Sequence, residues 1–165
     1  MGEPRMAVDM FLKIDSIKGD SIDDKHSGEI EVLSWSWGAT QTGTTQSGTG
    51  GGAGKANVQD ITVTKYLDRA SPILLKHCLS GIAIKEALLT VRKAGGKPLE
   101  YVKMKMKDAL ISAVHTGGSG SDERLTETVG INFSVIEFDY VPQKADGSGD
   151  PSIGITWNVA KNAEK

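Results

Sequence analysis

Alternation of apolar and polar residues at period two recurs along nearly the whole chain, and it constrains the fold more than any other feature. Clusters rich in Gly, Pro and Ser separate the alternating segments about every ten residues. The predicted strands are 10–14, 30–37, 58–66, 86–92, 102–107, 109–115, 124–141 and 153–159. Many short strands of this kind predict a mainly β fold, in which two antiparallel sheets form a compact β-barrel or sandwich.

Two of the predicted strands change phase part-way along. In 30–37 the apolar positions switch from even to odd numbers between Val32 and Leu33, and in 124–141 they switch from odd to even between Val135 and Ile136. A change of parity within one strand is typical of a bulge or a bend.

One short helix of about three turns is predicted between the third and fourth strands. Ser71 is a good N-cap residue, Pro72 suits the first helical position and Gly81 can close the C-terminus. Four apolar residues at helical spacing predict one buried face. They are Leu74, Leu75, Cys78 and Leu79.

A glycine-rich segment spans residues 38–56, where seven Gly and six Ser or Thr occur in nineteen positions. We expect an extended loop, because long segments of this composition are usually functional or disordered. It is not a phosphate-binding P-loop. At Gly54-Lys55 the required earlier glycine is Thr49 and the required hydroxyl residue is Ala56.

Composition excludes several classes of protein. The formal charge is −2, from 19 Lys+Arg against 21 Asp+Glu, which argues against a nucleic-acid binder. No run approaches the ~18 to 20 apolar residues of a membrane span, so we expect no membrane insertion. The N-terminus has no apolar segment typical of a cleavable signal peptide. Residues 1–5 are interpreted as a non-native or disordered extension.

Few side chains suggest catalysis or ligand binding. Cys78 is the single cysteine, which rules out an intramolecular disulfide, and the three histidines lack metal-ligand spacing. We therefore expect no cofactor, no metal and no catalytic residue. A small hydrolase that uses Cys78 with a distant histidine is the weak alternative to a buried, inert thiol.

Three lysines, Lys103, Lys105 and Lys107, share one strand face. A solvated outer face is the preferred interpretation, and a site for a polyanion is the alternative.

Ser34 and Ser36 alternate with Leu33, Trp35 and Trp37. The apolar residues are predicted to face the core, so the serines face the opposite side of the sheet. Small hydroxyl side chains there would let another molecule lie close to the sheet.

Several segments, in order from about Met6 to the last strand, resemble the Hcp family, the haemolysin-coregulated proteins of type VI secretion. The matching segments are AVDMFLKI (7–14), VLSWSWG (32–38), NVQD (57–60), TKYLD (64–68), TVRKAGG (90–96), TGGSG (116–120), LTE (125–127) and PQKADG (142–147). No segment is a catalytic signature, but together they are specific.

The resemblance implies a single domain over residues 6–165, similar to phage tail-tube proteins, with the helix beside the sheets. It implies a homo-hexameric ring, stacking of rings into the inner tube, and effector proteins carried in the lumen, where Ser34 and Ser36 would contact them. Spike and sheath proteins would be partners. The protein would be made in the bacterial cytoplasm and then secreted by the type VI system without a cleaved signal peptide.

The glycine-rich loop would reach the next ring. Its ring-stacking residues would be Gly43, Gly48, Gly50, Gly51, Gly52 and Gly54. A stand-alone β-sandwich module that binds protein or carbohydrate is the alternative function.

Overall fold

A computed structural model describes residues 7–43 and 54–164 of the chain. Its strands are β1 (Val8–Ile14), β2 (Ile30–Glu31), β3 (Ser34–Ser36), β4 (Ala39–Gln41), β5 (Ala56–Val58), β6 (Ile61–Tyr66), β7 (Ile84–Lys93), β8 (Leu99–Gly117), β9 (Thr126–Tyr140), β10 (Ile153–Asn158) and β11 (Ala163–Glu164). The helix α1 is Ser71–Ser80. The predicted mainly β, antiparallel fold is confirmed. Residues 1–5, for which a non-native or disordered extension was predicted, lie outside the described residues.

β8 and β9 form a long hairpin that runs through two half-sheets. The first half-sheet also contains β7, β1, β2, β10 and β11, and the second also contains β6 and β3. β7 pairs with β8 at residues 99–109, and β10 pairs with β9 at residues 135–140. β6 pairs with the other end of β9, at residues 126–131. Nine of the described strands thereby form one sheet, ordered β11-β10-β9-β8-β7-β1-β2, with β3 and β6 attached at β9.

The sheet is a sandwich rather than a closed barrel. β2 pairs only with β1, and β3 pairs only with β6, so no described ladder joins the two half-sheets at that edge. The barrel alternative of the sequence prediction is therefore wrong. Closure would require an unbroken ladder from β1 to β6 at this edge, whereas β2 and β3 are separated by Val32 and Leu33.

Both predicted phase changes are confirmed as places where a strand passes between half-sheets. Val32 donates its backbone N–H to Met10 of β1 at 3.0 Å, and Leu33 donates to Thr64 of β6 at 2.8 Å. In β9 the consecutive residues Val135 and Ile136 are both buried, where the pairing partner changes from β6 to β10. Because the strand bends at each of these places, the side chains that face the core change from even-numbered to odd-numbered positions, or the reverse.

Two strand boundaries differ from the prediction. β8 is one strand of 19 residues rather than two, because β9 pairs with it on both sides of Asp108, which has a φ of +49°. The predicted strand 58–66 is instead divided, since β5 pairs with β4 and β6 pairs with β3 and β9.

The core lies between the two half-sheets. Its centre is a row across three strands in which Ile61, Ile131 and Ile111 are at most 1% exposed. Leu12 and Leu89 of the other half-sheet are completely buried against the same cluster. Burial of apolar surface on this scale is the main stabilising contribution to the fold.

The helix begins one residue earlier than predicted. Ala70 occupies the N-cap position without a side-chain cap, and Ser71 is the first helical residue. The hydroxyl of Ser71 donates to the carboxylate of Glu127 at 2.7 Å. Gly81 closes the C-terminus with a φ of +62°, as predicted, in a conformation that glycine adopts at low cost.

The predicted buried face of α1 is only partly right. Leu74 is fully buried and Cys78 is half-buried, but Leu75 is 43% exposed and Leu79 is 79% exposed. The helix packs against β8, so the positions that touch the sheet are Ser71, Leu74 and Cys78, spaced i, i+3 and i+7. Leu75 and Leu79 lie about 100° further round the helix axis.

An ion cluster fastens the segment between β1 and β2 to the sheet. Arg92 of β7 donates to Asp23 at 2.7 Å and to Asp9 at 3.0 Å, and its guanidinium lies 5.1 Å from the centre of the Phe11 ring. The ring of His26 stacks on Phe11 at 4.3 Å. The hydrogen bond from Arg92 outweighs partial burial and holds the pKa of Asp23 at about 2.

This ion cluster predicts acid sensitivity. The pKa of Asp23 is lower when the chain is folded, so its contribution to stability is complete above about pH 4 and is lost as the pH falls through about 2. We expect Asp23→Asn to destabilise the fold by about 1 kcal/mol at pH 7 and to weaken the loss of stability between pH 5 and pH 2. Urea denaturation at several pH values measures both effects. Asp24→Asn, an exposed neighbour, is the control, and equal pH profiles for the two variants would contradict the assignment.

Candidate functional site

In the half-sheet made of β3, β6, residues 113–115 of β8 and residues 128–130 of β9, the side that faces away from the core carries mostly small, uncharged side chains. Ser34 and Ser36 are exposed on β3, and Trp35 between them packs toward the core opposite Val63. The predicted alternation of the two serines with tryptophan is confirmed. The next strands continue the same face, because paired residues in neighbouring strands point to the same side of a sheet.

Two rows of paired residues cross the four strands. One row is Ser36, Thr62, Gly130 and Ala113, and the other is Ser34, Thr64, Thr128 and His115. Neither row contains Lys, Arg, Asp or Glu. The serines were predicted from the sequence, but the threonines were not. The alternation of polar and apolar residues that predicts β6 and β9 also places these threonines on the side away from the core.

A bulge in β8 lies in the row of Ser36, at the opposite end of that row. The register between β8 and β9 shifts between Ile111 and Ala113, so two residues of β8 stand opposite Gly130. A Cβ at Gly130 would lie 2.9 Å from the hydroxyl oxygen of Ser112 and 3.3 Å from the Cβ of Ala113. Glycine therefore permits this approach, and the surface stays flat.

Trp37, next to Ser36, is anchored by contacts that do not involve the serines. The indole N–H of Trp37 donates to the backbone carbonyl of Gln59 at 2.9 Å. The Trp37 ring lies 6.2 Å from the ring of Phe138 and 6.3 Å from that of Phe133. A substitution at Ser36 consequently changes the outer face without removing these contacts.

The glycine-rich segment starts and ends in a small hairpin. β4 pairs with β5, from Ala39 opposite Val58 to Gln41 opposite Ala56, so the loop that was predicted over 38–56 has ordered ends. A Cβ at Gly54 would lie 2.5 Å from the hydroxyl of Thr42. Gly43 donates its N–H to the side chain of Gln41 at 3.0 Å. The other predicted stacking residues, Gly48, Gly50, Gly51 and Gly52, lie outside the described residues.

The remaining residues considered for chemistry have structural surroundings. Lys107 and Lys105 lie 3.3 Å and 3.9 Å from carboxylate oxygens of Glu137, and Lys103 lies 3.3 Å from Glu100, as on a solvated face. Within residues 7–43 and 54–164, no group of three or more His, Cys, Asp or Glu could hold a metal ion. That same part of the chain has no helix long and apolar enough to cross a bilayer.

Known proteins resemble this chain over almost its whole length. The family described as "Type VI secretion system effector, Hcp" matches residues 11–140. The chain belongs to the Hcp family. It is therefore a tube protein of type VI secretion, and Hcp is a secreted protein of that system. This confirms the resemblance seen in the sequence.

Individual Hcp relatives support the assignment. The chain is 50% identical over 161 residues to "Protein hcp1" of Pseudomonas aeruginosa, covering 96% of this chain and 99% of the relative. The crystal structure of Hcp1 from Salmonella typhimurium has a TM-score of 0.77 at 40% identity, covering 97% of this chain and 100% of that one. A structure described as a type six secretion system protein has a TM-score of 0.90 at 31% identity, with coverage of 96% and 100%.

Proposed function

We propose that this Hcp protein assembles into hexameric rings, that the rings stack into the inner tube of the type VI machine, and that effector proteins travel in the bore. The observation that carries the proposal is the uncharged face formed by β3, β6 and the adjoining residues 113–115 of β8 and 128–130 of β9, with Ser34 and Ser36 exposed on it. In the proposed ring this face lines the bore.

The face has properties that suit a passage for varied cargo. Its short hydroxyl side chains can hydrogen-bond to another protein without long side chains that narrow the bore. Few charges mean little long-range attraction or repulsion, so cargo is held weakly enough to be released. Closing a ring requires heterologous contacts, in which one surface of each copy meets a different surface of the next.

The proposal also covers location and partners. The protein is made in the bacterial cytoplasm and exported by the machine, with no cleaved signal peptide. Its partners are other copies of itself, the spike, the sheath and the effectors, and it binds no nucleic acid. We propose a structural and carrier role without enzymatic activity, in which Cys78 packs beside the core as a small apolar residue.

The mass of the purified protein in solution tests the ring. Native mass spectrometry at micromolar concentration should give about 105 kDa, six times the 17.5 kDa chain. A monomer under these conditions contradicts the ring and favours the stand-alone binding module.

Ser36→Gln tests the cargo surface. We expect the variant to form the same ring and to retain about tenfold less co-purifying effector, because a longer side chain keeps cargo away from the face. Quantitative mass spectrometry of the proteins that co-purify with the ring measures the loss. Ser152→Gln makes the same change in an exposed loop and should retain effectors normally. Unchanged retention by an intact Ser36→Gln ring would contradict the placement of Ser36.

Deleting residues 44–52 tests the stacking role of the glycine-rich segment. The deletion retains β4 and β5 and leaves five residues between Gln41 and Ala56, a length that β-hairpins accept. We expect hexamers of normal stability that no longer stack into tubes, and reduced secretion. Negative-stain microscopy of concentrated protein measures the stacking. Tubes of normal length from the deletion variant would exclude this role.

A further inference from the structure

A carboxylate with a fixed orientation lies at one end of the uncharged face. Asp60 directly precedes β6 and is half-buried. One of its oxygens accepts a hydrogen bond from the hydroxyl of Ser112 at 2.6 Å, and the other accepts one from the side-chain amide of Asn132 at 2.8 Å. Because Ser112 belongs to β8 and Asn132 to β9, two strands hold the carboxylate in place.

The register of the strands places Asp60 on the same side of the sheet as the serines. Ile61 pairs with Ile131, so Asp60 stands beside Asn132, one row away from the row of Ser36 and Gly130. Asp60 is two residues before Thr62, so the two side chains point to the same side of the sheet, away from the core. The uncharged rows therefore end at a single, oriented negative charge.

No cation in the described part of the chain neutralises Asp60. No nitrogen of Lys, Arg or His in residues 7–43 and 54–164 lies within 4.0 Å of its carboxylate. Other half-buried carboxylates have such a partner: Asp23 has Arg92, and Glu137 has Lys107. The two neutral donors orient Asp60, but each of its oxygens keeps a further lone pair available as an acceptor.

The strands do not need a charge at this position. Backbone ladders already join β6 to β9 and β9 to β8, and neutral side chains could bridge them without the desolvation cost of a carboxylate. A fixed carboxylate with free acceptor positions favours an ammonium or guanidinium group, because charge-assisted hydrogen bonds are the stronger ones.

We propose that Asp60 is a binding site for a lysine or arginine side chain of the cargo. The proposal rests on the proposed function, which places the face in the bore of a ring, and it gives the ring six such sites. The hydroxyls of Ser34 and Ser36 then contact the neighbouring surface of the cargo, while Asp60 selects cargo with a basic group.

Binding of a fluorescein-labelled tetralysine peptide to the purified full-length protein, followed by fluorescence anisotropy at low salt, tests the site. We expect Asp60→Asn to raise the Kd for tetralysine about tenfold or more, the loss of one charge-assisted contact. Asp150→Asn makes the same change of charge on an exposed loop and should alter the Kd less than twofold. Labelled tetraglutamate should not bind.

Asn132→Lys gives an independent check if Asp60→Asn disturbs the fold. It keeps Asp60 but places an ammonium group beside it, so tetralysine binding should fall as much as in Asp60→Asn. Equal Kd values for the wild type, Asp60→Asn and Asn132→Lys would overturn the proposal. The mass of the same samples is measured separately: a monomer would contradict the ring, while the comparison of Kd values would still decide the role of Asp60.

Discussion

Lys65→Met is expected to destabilise the fold by about 3–5 kcal/mol, the usual cost of leaving a buried charge without its partner. Lys65 lies in β6 at a position that faces the core, and it is completely buried. Its ammonium is 2.6 Å from a carboxylate oxygen of Glu127, 2.9 Å from Asp68 and 3.2 Å from the hydroxyl of Ser71. Without the lysine, the fully buried carboxylate of Glu127 loses its counterion.

Urea denaturation at one fixed protein concentration measures the effect, because assembly also contributes to apparent stability. The double variant Lys65→Met with Glu127→Leu removes both charges of the fully buried pair and should recover part of the lost free energy of unfolding, because Asp68 still lacks its cation. A loss below about 1 kcal/mol in the single variant would show that the ion pair is not buried as the structure has it.

Ile131→Ala is expected to cost about 2–5 kcal/mol, through lost burial and the cavity that remains. Ile131 is completely buried in β9 and pairs with Ile61 on one side and Ile111 on the other. It therefore packs where the long hairpin meets the second half-sheet. Ile22→Ala is the matched control, because Ile22 is 93% exposed and should change stability by less than about 0.5 kcal/mol. Similar urea midpoints for the two variants would contradict the position of the core.

The strands could be predicted because most of them bury one face, so that apolar residues recur at every second position. The same pattern also predicted the bends at Val32 and Val135, where the apolar residues switch between even-numbered and odd-numbered positions. It could not give the continuity of β8, since that depends on pairing with β9 on both sides of Asp108. The helix face was partly wrong because only the packing against β8 decides which apolar residues are covered.

The candidate functional face could be predicted only in part from the sequence. Alternation with tryptophan placed Ser34 and Ser36 outside the core, as the structure confirms. Asp60 was missed because its partners come from strands more than 50 residues away in the chain. Lys65 was missed for the same kind of reason: Glu127 lies 62 residues further on. Pairings of this kind are set by strand register, which local patterns do not specify.

Electron cryo-microscopy of the purified protein decides whether it forms the proposed ring. We expect six copies around an open bore, with Ser34, Ser36 and Thr62 facing the axis and α1 on the outside. Single copies, or a ring whose bore is lined by α1 or by the face of Lys103, Lys105 and Lys107, would contradict it.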